Sequence, residues 1–366
     1  MRTVVAFTDT YLPTVNGVSY TARTWRTRWQ RRGGQMPIVY PDAEGYRPID
    51  GEYPVTSRPF PFYPEFRLAS PGVPRGVRKI RPDVVHAHTP FTLGLAARSF
   101  ASNVDAPLVV SYHTPASEYA EYISDAFAEA IERAADYYEQ WYFGGADAVV
   151  VPSRAAARTV DTNGTPVYVV SNGVDTDRFH PVCPAAVDSF CDRHDLPDGP
   201  LVGYTGRHGH EKRLDDILAA TAGMDVTVVF AGDGPARTEL ERRAAARGDV
   251  CFLGFLDRDS LPAFYTALDA FVFPSPIETQ GLVALEAIAC GTPVVAADEG
   301  ALSETITDGE TGMHFQSGDI DAFRAAIVRT LAEADRLPTH RSERRQQLSV
   351  DRSIDALESV YESVLE

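Results

Sequence analysis

Short, uninterrupted apolar runs punctuate this chain, and amphipathic stretches fill the intervals between them. In the first half the runs are Val4–Phe7, Val84–Ala87, Leu108–Ser111, Ala148–Val151 and Val167–Val170. A strand with one wet face alternates apolar and polar residues, whereas a strand covered on both faces is apolar throughout, so these runs predict buried parallel strands. The second half repeats the scheme with Leu201–Tyr204, Val226–Ala231, Val250–Leu253, Ala270–Phe273 and Pro293–Ala296, separated by helical patterns such as Arg237–Arg247. Strands alternating with helices predict two α/β domains, each a doubly wound, Rossmann-like sheet. The stretch Ser171–Pro181 is dense in turn formers, holds Asn172-Gly173 and closes on a proline, which marks it as the linker. The expected division is residues 1–173, residues 174–345, and a terminal segment 346–366 whose helical pattern, Val350–Leu365, crosses back to the first domain.

Composition narrows the class. The 366 residues exceed what one hydrophobic core usually supports, and 44% hydrophobic with 23% charged residues is the balance of a globular protein. The formal net charge is -17, and of 34 basic residues only Lys79 and Lys212 are lysines. An acidic, lysine-poor surface excludes nonspecific nucleic-acid binding, which needs basic stripes, and points to a high-salt cytoplasm such as that of a halophilic archaeon. The four cysteines lie scattered without metal-ligand spacing, so neither a zinc site nor a disulfide framework is expected. The apolar start Val4–Phe7 is too short for a signal peptide, and no run reaches the length of a membrane span.

Candidate chemistry gathers after the predicted strands. Beyond Phe273, the carboxylates Glu278 and Glu286, with seven residues between them, bracket a glycine turn and the start of an apolar helix. A loop carboxylate ahead of a helix can hydrogen-bond sugar hydroxyls. The amides of Thr279, Gln280, Gly281 and Leu282 at the helix start suit an anion such as pyrophosphate, and a glutamate about two turns along reaches a ribose. Two glutamates alone would read as a cap and a solvated helix charge; the strand and turn around them favour a ligand site. After Leu201–Tyr204, the turn Thr205–Arg213 carries Arg207 and Lys212, two cations ahead of a helix, which is phosphate chemistry; His208 and His210 read as loop histidines. Gly232-Asp233-Gly234-Pro235 is a tight strand-to-helix turn. In the first half the loop Thr8–Val18 enters a helix at Gly17, where a backbone without a Cβ can approach a diphosphate, and the dinucleotide fingerprint is absent. His113 follows the strand Leu108–Ser111 directly, as ligand residues of α/β folds do; a histidine satisfying strand-end backbone is the alternative. His86 falls inside a predicted strand and reads as core, while His88 lies on the acceptor side.

Glu278-x7-Glu286, Asn172-Gly173-Val174-Asp175, Gly206-Arg207 followed by Glu211-Lys212, and Gly232-Asp233-Gly234-Pro235 occur in this order over nearly the whole chain. Together they resemble family 4 of the retaining glycosyltransferases, the glycosyl transferases of group 1. That resemblance implies the GT-B fold, two Rossmann-like domains facing across a cleft, with the donor nucleotide held mainly by the C-terminal one. It implies roles for matching residues: Arg207 and Lys212 grip the donor pyrophosphate and stabilise it as it leaves, Glu278 positions the sugar, Glu286 holds the ribose, and His113 lies by the reacting sugar. Leu256, in Phe255-Leu256-Asp257, falls where relatives hold the base through backbone groups. The donor is then a UDP- or GDP-linked hexose, a substrate and not a cofactor. No metal is implied, and the D-x-D strings Asp175-Thr176-Asp177 and Asp257-Arg258-Asp259 read as chance in a chain with 51 acidic residues. The segment Ser111–Tyr122, with Glu118, Tyr119 and Tyr122, resembles the branch that glycosylates diacylglycerol-type lipids. A lipid or lipid-linked glycan acceptor follows, met by a cytoplasmic protein peripheral to the inner face of the cell membrane.

Two readings stay open for the first helix. Arg23, Arg26, Arg28, Arg31 and Arg32 beside Trp25 and Trp29 suit a membrane interface. Against that, Val18, Ala22, Trp25 and Trp29 form an i, i+4, i+7, i+11 stripe that would pack the tryptophans inward and leave only the arginines exposed. Two functions compete with transfer: a nucleotide-sugar epimerase of the same architecture, and a sugar-nucleotide-binding protein without turnover.

Overall fold

In the computed structural model, which describes residues 2–60, 63–113, 128–333 and 342–366, the chain divides into two units, Met1–Asn172 together with Val350–Glu366, and Gly173–Ser349. Among the described residues the first unit contains β1 (Val4–Phe7), β2 (Ile38–Pro41), β3 (Glu52–Val55), β4 (Ser57–Phe60), β5 (Tyr63–Ala69), β6 (Val84–Ala87), β7 (Leu108–Ser111), β8 (Ala148–Val151) and β9 (Val167–Val169). A parallel sheet runs in the order β3-β2-β1-β6-β7-β8-β9, with β4 and β5 as a separate antiparallel pair. The apolar runs are continuous because both faces of this sheet are covered. Val5, Phe7, Val85, Val110 and Val149 pack one way with Leu93 and Phe100 of the helix Thr92–Val104, while Val4, Ala6, Val84, Val109 and Val150 pack the other way with Trp25 and Trp29.

The second unit has β10 (Leu201–Thr205), β11 (Thr227–Ala231), β12 (Val250–Gly254), β13 (Ala270–Phe273), β14 (Val294–Ala297) and β15 (Gly312–Phe315), paired in parallel in the order β12-β11-β10-β13-β14-β15. In each sheet the strand order reverses beside the first strand, between β1 and β6 and between β10 and β13. Crevices at the carboxyl ends of such strands are where open α/β sheets take ligands, since neighbouring loops there leave in opposite directions. The loops carrying Gly17, His88, Arg207 and Glu278 leave these strands.

Strands β2, β3 and β15 lie outside the long apolar runs. Ile38–Pro41 and Glu52–Val55 contain proline and Gly312–Phe315 opens on glycine, so their local pattern is weak and sheet pairing selects them.

The last helix, Val350–Ser363, buries Val350, Ile354, Leu357, Val360 and Tyr361 in the first unit's core, with Tyr361 edge-on to Trp29 at 5.3 Å between ring centroids. Trp25 and Trp29 of the helix Gly17–Arg31 are fully buried, so the inward stripe holds. The arginines correct the expectation, because Arg26 and Arg28 are buried too. Arg26 donates to the Met36 carbonyl at 3.1 Å and the Asp50 carbonyl at 2.5 Å, and pairs with Glu52 at 3.5 Å. Arg28 and Arg32 face Asp351 at 3.7 and 3.5 Å, and Arg32 also holds Asp355 at 2.5 Å. Arg26, Arg28 and Arg32 are thus met by the chain's own carboxylates, and Arg23 and Arg31 are exposed. Among the described residues no helix is long and apolar enough to cross a membrane.

Candidate active site

In the second unit, the loop after β10 and the loop after β13 meet through a salt bridge. Lys212 Nζ donates to Glu278 Oε1 at 2.8 Å, both side chains about six-sevenths buried, while Arg207 Nη1 donates to Glu211 Oε1 at 3.0 Å. The sequence-predicted cations and the loop carboxylate therefore share one cluster across the point where strand order reverses. Sequence spacing could not pair Lys212 with Glu278, 66 positions apart.

The cationic turn is held by contacts with the loop after β11. Gly206 and Gly232 have φ of +142° and +112°, and a Cβ on Gly232 would lie 2.0 Å from the Gly206 carbonyl oxygen. A Cβ on Gly234 would lie 2.6 Å from the carbonyl oxygen of His208. The backbone amide of His208 donates to the Asp233 carbonyl and that of Ala236 to the His208 carbonyl, each at 2.8 Å. Tyr204 Oη donates to the Arg207 carbonyl at 3.1 Å. Gly232–Pro235 is thus a backbone buttress for Arg207, and His208 is a fully buried pillar whose burial holds its pKa below the usual value. His210 is exposed.

Beyond Glu278 the chain turns at Gly281, with φ +74°, into the helix Leu282–Ala289; a Cβ there would meet Leu302 at 2.7 Å. Gln280 is buried and its carbonyl accepts from Thr305 Oγ1 at 3.0 Å, which fixes the turn from Thr279 to Leu282. Glu286, one turn inside the helix, is buried. Arg258 Nη2 lies 3.0 Å from its Oε1 and Tyr265 Oη donates to its Oε2 at 3.0 Å. Burial pushes the Glu286 pKa up, and Arg258 and Tyr265 pull against it. Arg258 also lies over the Phe179 ring at 4.9 Å. Leu256 is buried just before it, and Phe255 is exposed. Arg258 and Tyr265 had no signal as Glu286 partners, since the first sits in the D-x-D string dismissed above. The flanking acids of that string are occupied locally: Asp257 caps the Ser260 amide at 2.8 Å and Asp259 pairs with Arg178 at 2.7 Å.

In the first unit, Gly17 opens its helix behind Asn16, whose side chain accepts from the Ser19 amide at 2.9 Å while Ser19 Oγ accepts from the Asn16 amide at 3.2 Å. His113 stands at the end of β7 in a group of three imidazoles. His88 Nδ1 lies 3.2 Å from His113 Nε2 with ring planes 9° apart, and His86 stacks on His88 at 4.4 Å between centroids. His86 bridges Tyr361 Oη at 2.6 Å and Ser111 Oγ at 2.7 Å, and Trp25 packs within about 6 Å of all three rings. Burial lowers the pKa of His86 to about 3 and of His113 to about 4, and places His88 well below the usual value, so all three are neutral near pH 7. Asp9 steadies the loop after β6: it accepts from Thr89 Oγ1 and Thr92 Oγ1 at 2.7 Å and from the Leu93 amide at 2.9 Å, and burial raises its pKa. His86 is core as the strand pattern implied, whereas its bond to Tyr361, 275 residues away, had no sequence signal. Glu118, Tyr119 and Tyr122 lie outside the described residues.

The profile of the Glycosyl transferases group 1 matches residues 192–348, and that of Glycosyltransferase Family 4 matches residues 15–178. A GDP-mannose-dependent alpha-mannosyltransferase of Mycolicibacterium smegmatis is 31% identical over 351 residues, 91% of this chain and 90% of its own. The alpha-monoglucosyldiacylglycerol synthase of Streptococcus pneumoniae is 27% identical over 94% of this chain and 82% of its own. A sulfoquinovosyl transferase of Arabidopsis thaliana is 30% identical over 80% of this chain, which spans 60% of that relative's length. Among solved structures, the sucrose-phosphate synthase of Thermosynechococcus elongatus superposes over 99% of both chains with a TM-score of 0.80 at 21% identity, a likeness of fold.

Proposed function

The chain belongs to glycosyltransferase family 4 of the GT-B fold, and from that premise we propose that it moves a hexose from a UDP- or GDP-linked donor to a hydroxyl of a membrane lipid or lipid-linked glycan, with retained anomeric configuration. The observation that carries this reading is the cluster of Arg207, Lys212 and Glu278 at the reversal of strand order, with Lys212 and Glu278 at 2.8 Å. Two cations on a rigid turn suit a diphosphate, and the carboxylate beside them suits the hydroxyls of the sugar attached to it. When the diphosphate arrives, its charge competes with Glu278 for Lys212 and releases the carboxylate to the sugar. As the glycosidic bond breaks, charge grows on the diphosphate, and Arg207 and Lys212 are already aligned to receive it without reorganisation. The amides of Thr279, Gln280, Gly281 and Leu282 add donors, Leu256 and Gly17 contribute backbone approach, Glu286 takes the ribose, and His113 orients the sugar. The leaving diphosphate accepts the proton of the attacking hydroxyl.

The names of the mycobacterial and streptococcal relatives, both of alpha-linked products, support retention, and the second supports a lipid acceptor. Peripheral contact with a membrane would then follow from the acceptor. The test is incubation at high salt with labelled UDP- and GDP-sugars and membrane lipids, read by mass spectrometry and by the anomeric configuration of the product. An alpha-linked glycolipid is expected, and in Glu278→Gln its formation falls about a hundredfold while nucleotide affinity stays within about twofold. An inverted linkage, or an epimerised donor without transfer, overturns the proposal.

A further inference from the structure

A turn that binds phosphate is an unfavourable place for a carboxylate, yet Thr205–Arg213 carries Glu211 directly before Lys212, and Arg207 Nη1 donates to its Oε1 at 3.0 Å. The two residues are four positions apart, but no α-helix carries the pair. The backbone between them is extended at Gly209, with φ -86° and ψ 153°, before the short 3-10 turn His210–Lys212. Glu211 therefore folds back across Gly209 to reach Arg207. A Cβ on Gly209 would lie 2.1 Å from both carboxylate oxygens, so the carboxylate fills the space in which any other residue would carry its side chain. Clearance, and not a left-handed backbone, is what glycine supplies at this position. The turn beneath is pinned, since the Lys212 amide donates to the Gly209 carbonyl and the Arg213 amide to the His210 carbonyl, each at 3.1 Å. The Glu211 side chain is 17% exposed and is carried by that backbone, whereas the Lys212–Glu278 pair joins two separate loops.

Resting on the reading of the protein as a glycosyltransferase, we propose that Glu211 is a positioning residue, seated over Gly209, that braces the Arg207 guanidinium toward the donor diphosphate and keeps its place when Lys212 gives up Glu278. A guanidinium has five N–H donors in one plane, so a carboxylate that accepts from Nη1 sets the direction in which the others point. Tyr204 holds the same residue from the other end, its hydroxyl donating to the Arg207 carbonyl at 3.1 Å, so main chain and guanidinium are both held. An unbraced arginine must order its rotatable bonds as the diphosphate leaves, and a braced one is already aligned to the growing charge. Glu211 also sets a negative charge near the diphosphate. Removing it helps donor binding by about as much as the lost alignment hurts it, and the loss then shows in kcat.

The test is steady-state transfer by the full-length chain from UDP-glucose and GDP-mannose, with a calorimetric melt of every variant. In Glu211→Ala kcat is expected to fall about tenfold with donor KM within about twofold. Glu211→Gln, whose side-chain carbonyl can accept from the same N–H, should return kcat to within about threefold of the wild type. Gly209→Ala adds a methyl group at a φ that alanine adopts freely, pushes the carboxylate off Arg207 and should lower kcat by the same factor as Glu211→Ala. Because both act through one contact, the double variant should be no slower than either alone. A readout without turnover is the guanidinium nitrogen spectrum of arginine-labelled protein, with the Arg207 signals assigned by their loss in Arg207→Lys. Rotation of that group should be slow in the wild type and fast in Glu211→Ala and Gly209→Ala. Unchanged kcat in Glu211→Ala, a tighter donor KM at full kcat, additive losses in the double variant, or fast rotation in the wild type overturns the inference. A wild type that shows slow rotation and transfers no sugar sinks the reading of the reaction, whereas full transfer by Glu211→Ala sinks this inference alone.

Discussion

Acid should unfold the N-terminal unit through its histidines, and the size of the effect follows from their burial. The unit contains three histidines, His86, His88 and His113, and all are in the stack; the other six of the chain lie between His180 and His340. Each is held neutral in the fold, with pKa about 3 for His86, about 4 for His113, and well below the usual value for His88. In the unfolded chain each returns to about 6.5. Below that value the unfolded state binds more protons than the native one, so stability falls as pH drops through 6.5, and the loss levels off only near the folded pKa values. Lowering the pH from 7 to 5.5 then removes roughly 1.2 kcal/mol per imidazole, about 4 kcal/mol for the three. Asp9, whose pKa burial raises, works in the opposite direction, so this figure is the histidine share alone. The assay is urea unfolding followed by tryptophan fluorescence at the two pH values. Trp25, Trp29 and Trp141 are the chain's three tryptophans and all belong to this unit, so the signal reports it selectively. His86→Gln removes one titrating ring and should shrink the stability difference between the two pH values by about 1.2 kcal/mol, whatever its effect on absolute stability. A midpoint that holds or rises on acidification, or a variant that keeps the full difference, refutes the reasoning.

Lys212→Met should raise the donor KM at least about tenfold and lower kcat by a further factor of about a hundred, measured by initial rates, because the leaving diphosphate loses a pre-aligned charge. Gly232→Ala places a Cβ 2.0 Å from the Gly206 carbonyl oxygen at φ +112°, so it should cost the C-terminal unit more than about 2 kcal/mol by calorimetry and weaken UDP or GDP binding in titration. Arg258→Met takes the cation from the buried Glu286 carboxylate, which Tyr265 also contacts, and should lower calorimetric stability by about 3 kcal/mol at neutral pH; an unchanged melting temperature would refute the pairing. Arg26→Leu should destabilise the N-terminal unit by a similar margin, about 3 kcal/mol by tryptophan fluorescence, since Glu52 stays buried without its cation.

What could be read from the sequence was whatever local chemistry carries alone. Val4–Phe7, Val84–Ala87, Leu108–Ser111 and Ala148–Val151 are apolar at every position because both sheet faces are covered, and that burial writes itself into consecutive residues. Glu278-x7-Glu286 and the turn bearing Arg207 and Lys212 were legible for the same reason, each lying on one continuous loop and helix start. Arg26 carries a local signal of its own: it falls among Ala22, Trp25 and Trp29 on one helical stripe, and that phase places a cation inside whatever its type suggests. Strands such as Gly312–Phe315 left little trace, since their neighbours and not their own pattern select them. The partnerships had none. Lys212 with Glu278, Arg258 with Glu286, Arg32 with Asp355 and Tyr361 with His86 join residues tens to hundreds of positions apart, and no periodicity spans such intervals. The sequence by itself determined which segments would be buried and where cations, carboxylates and glycines would stand at strand ends. Only the tertiary structure decided which charges neutralise one another and which imidazoles are brought together, because those depend on distances of about 3 Å between elements that the chain brings together only by folding.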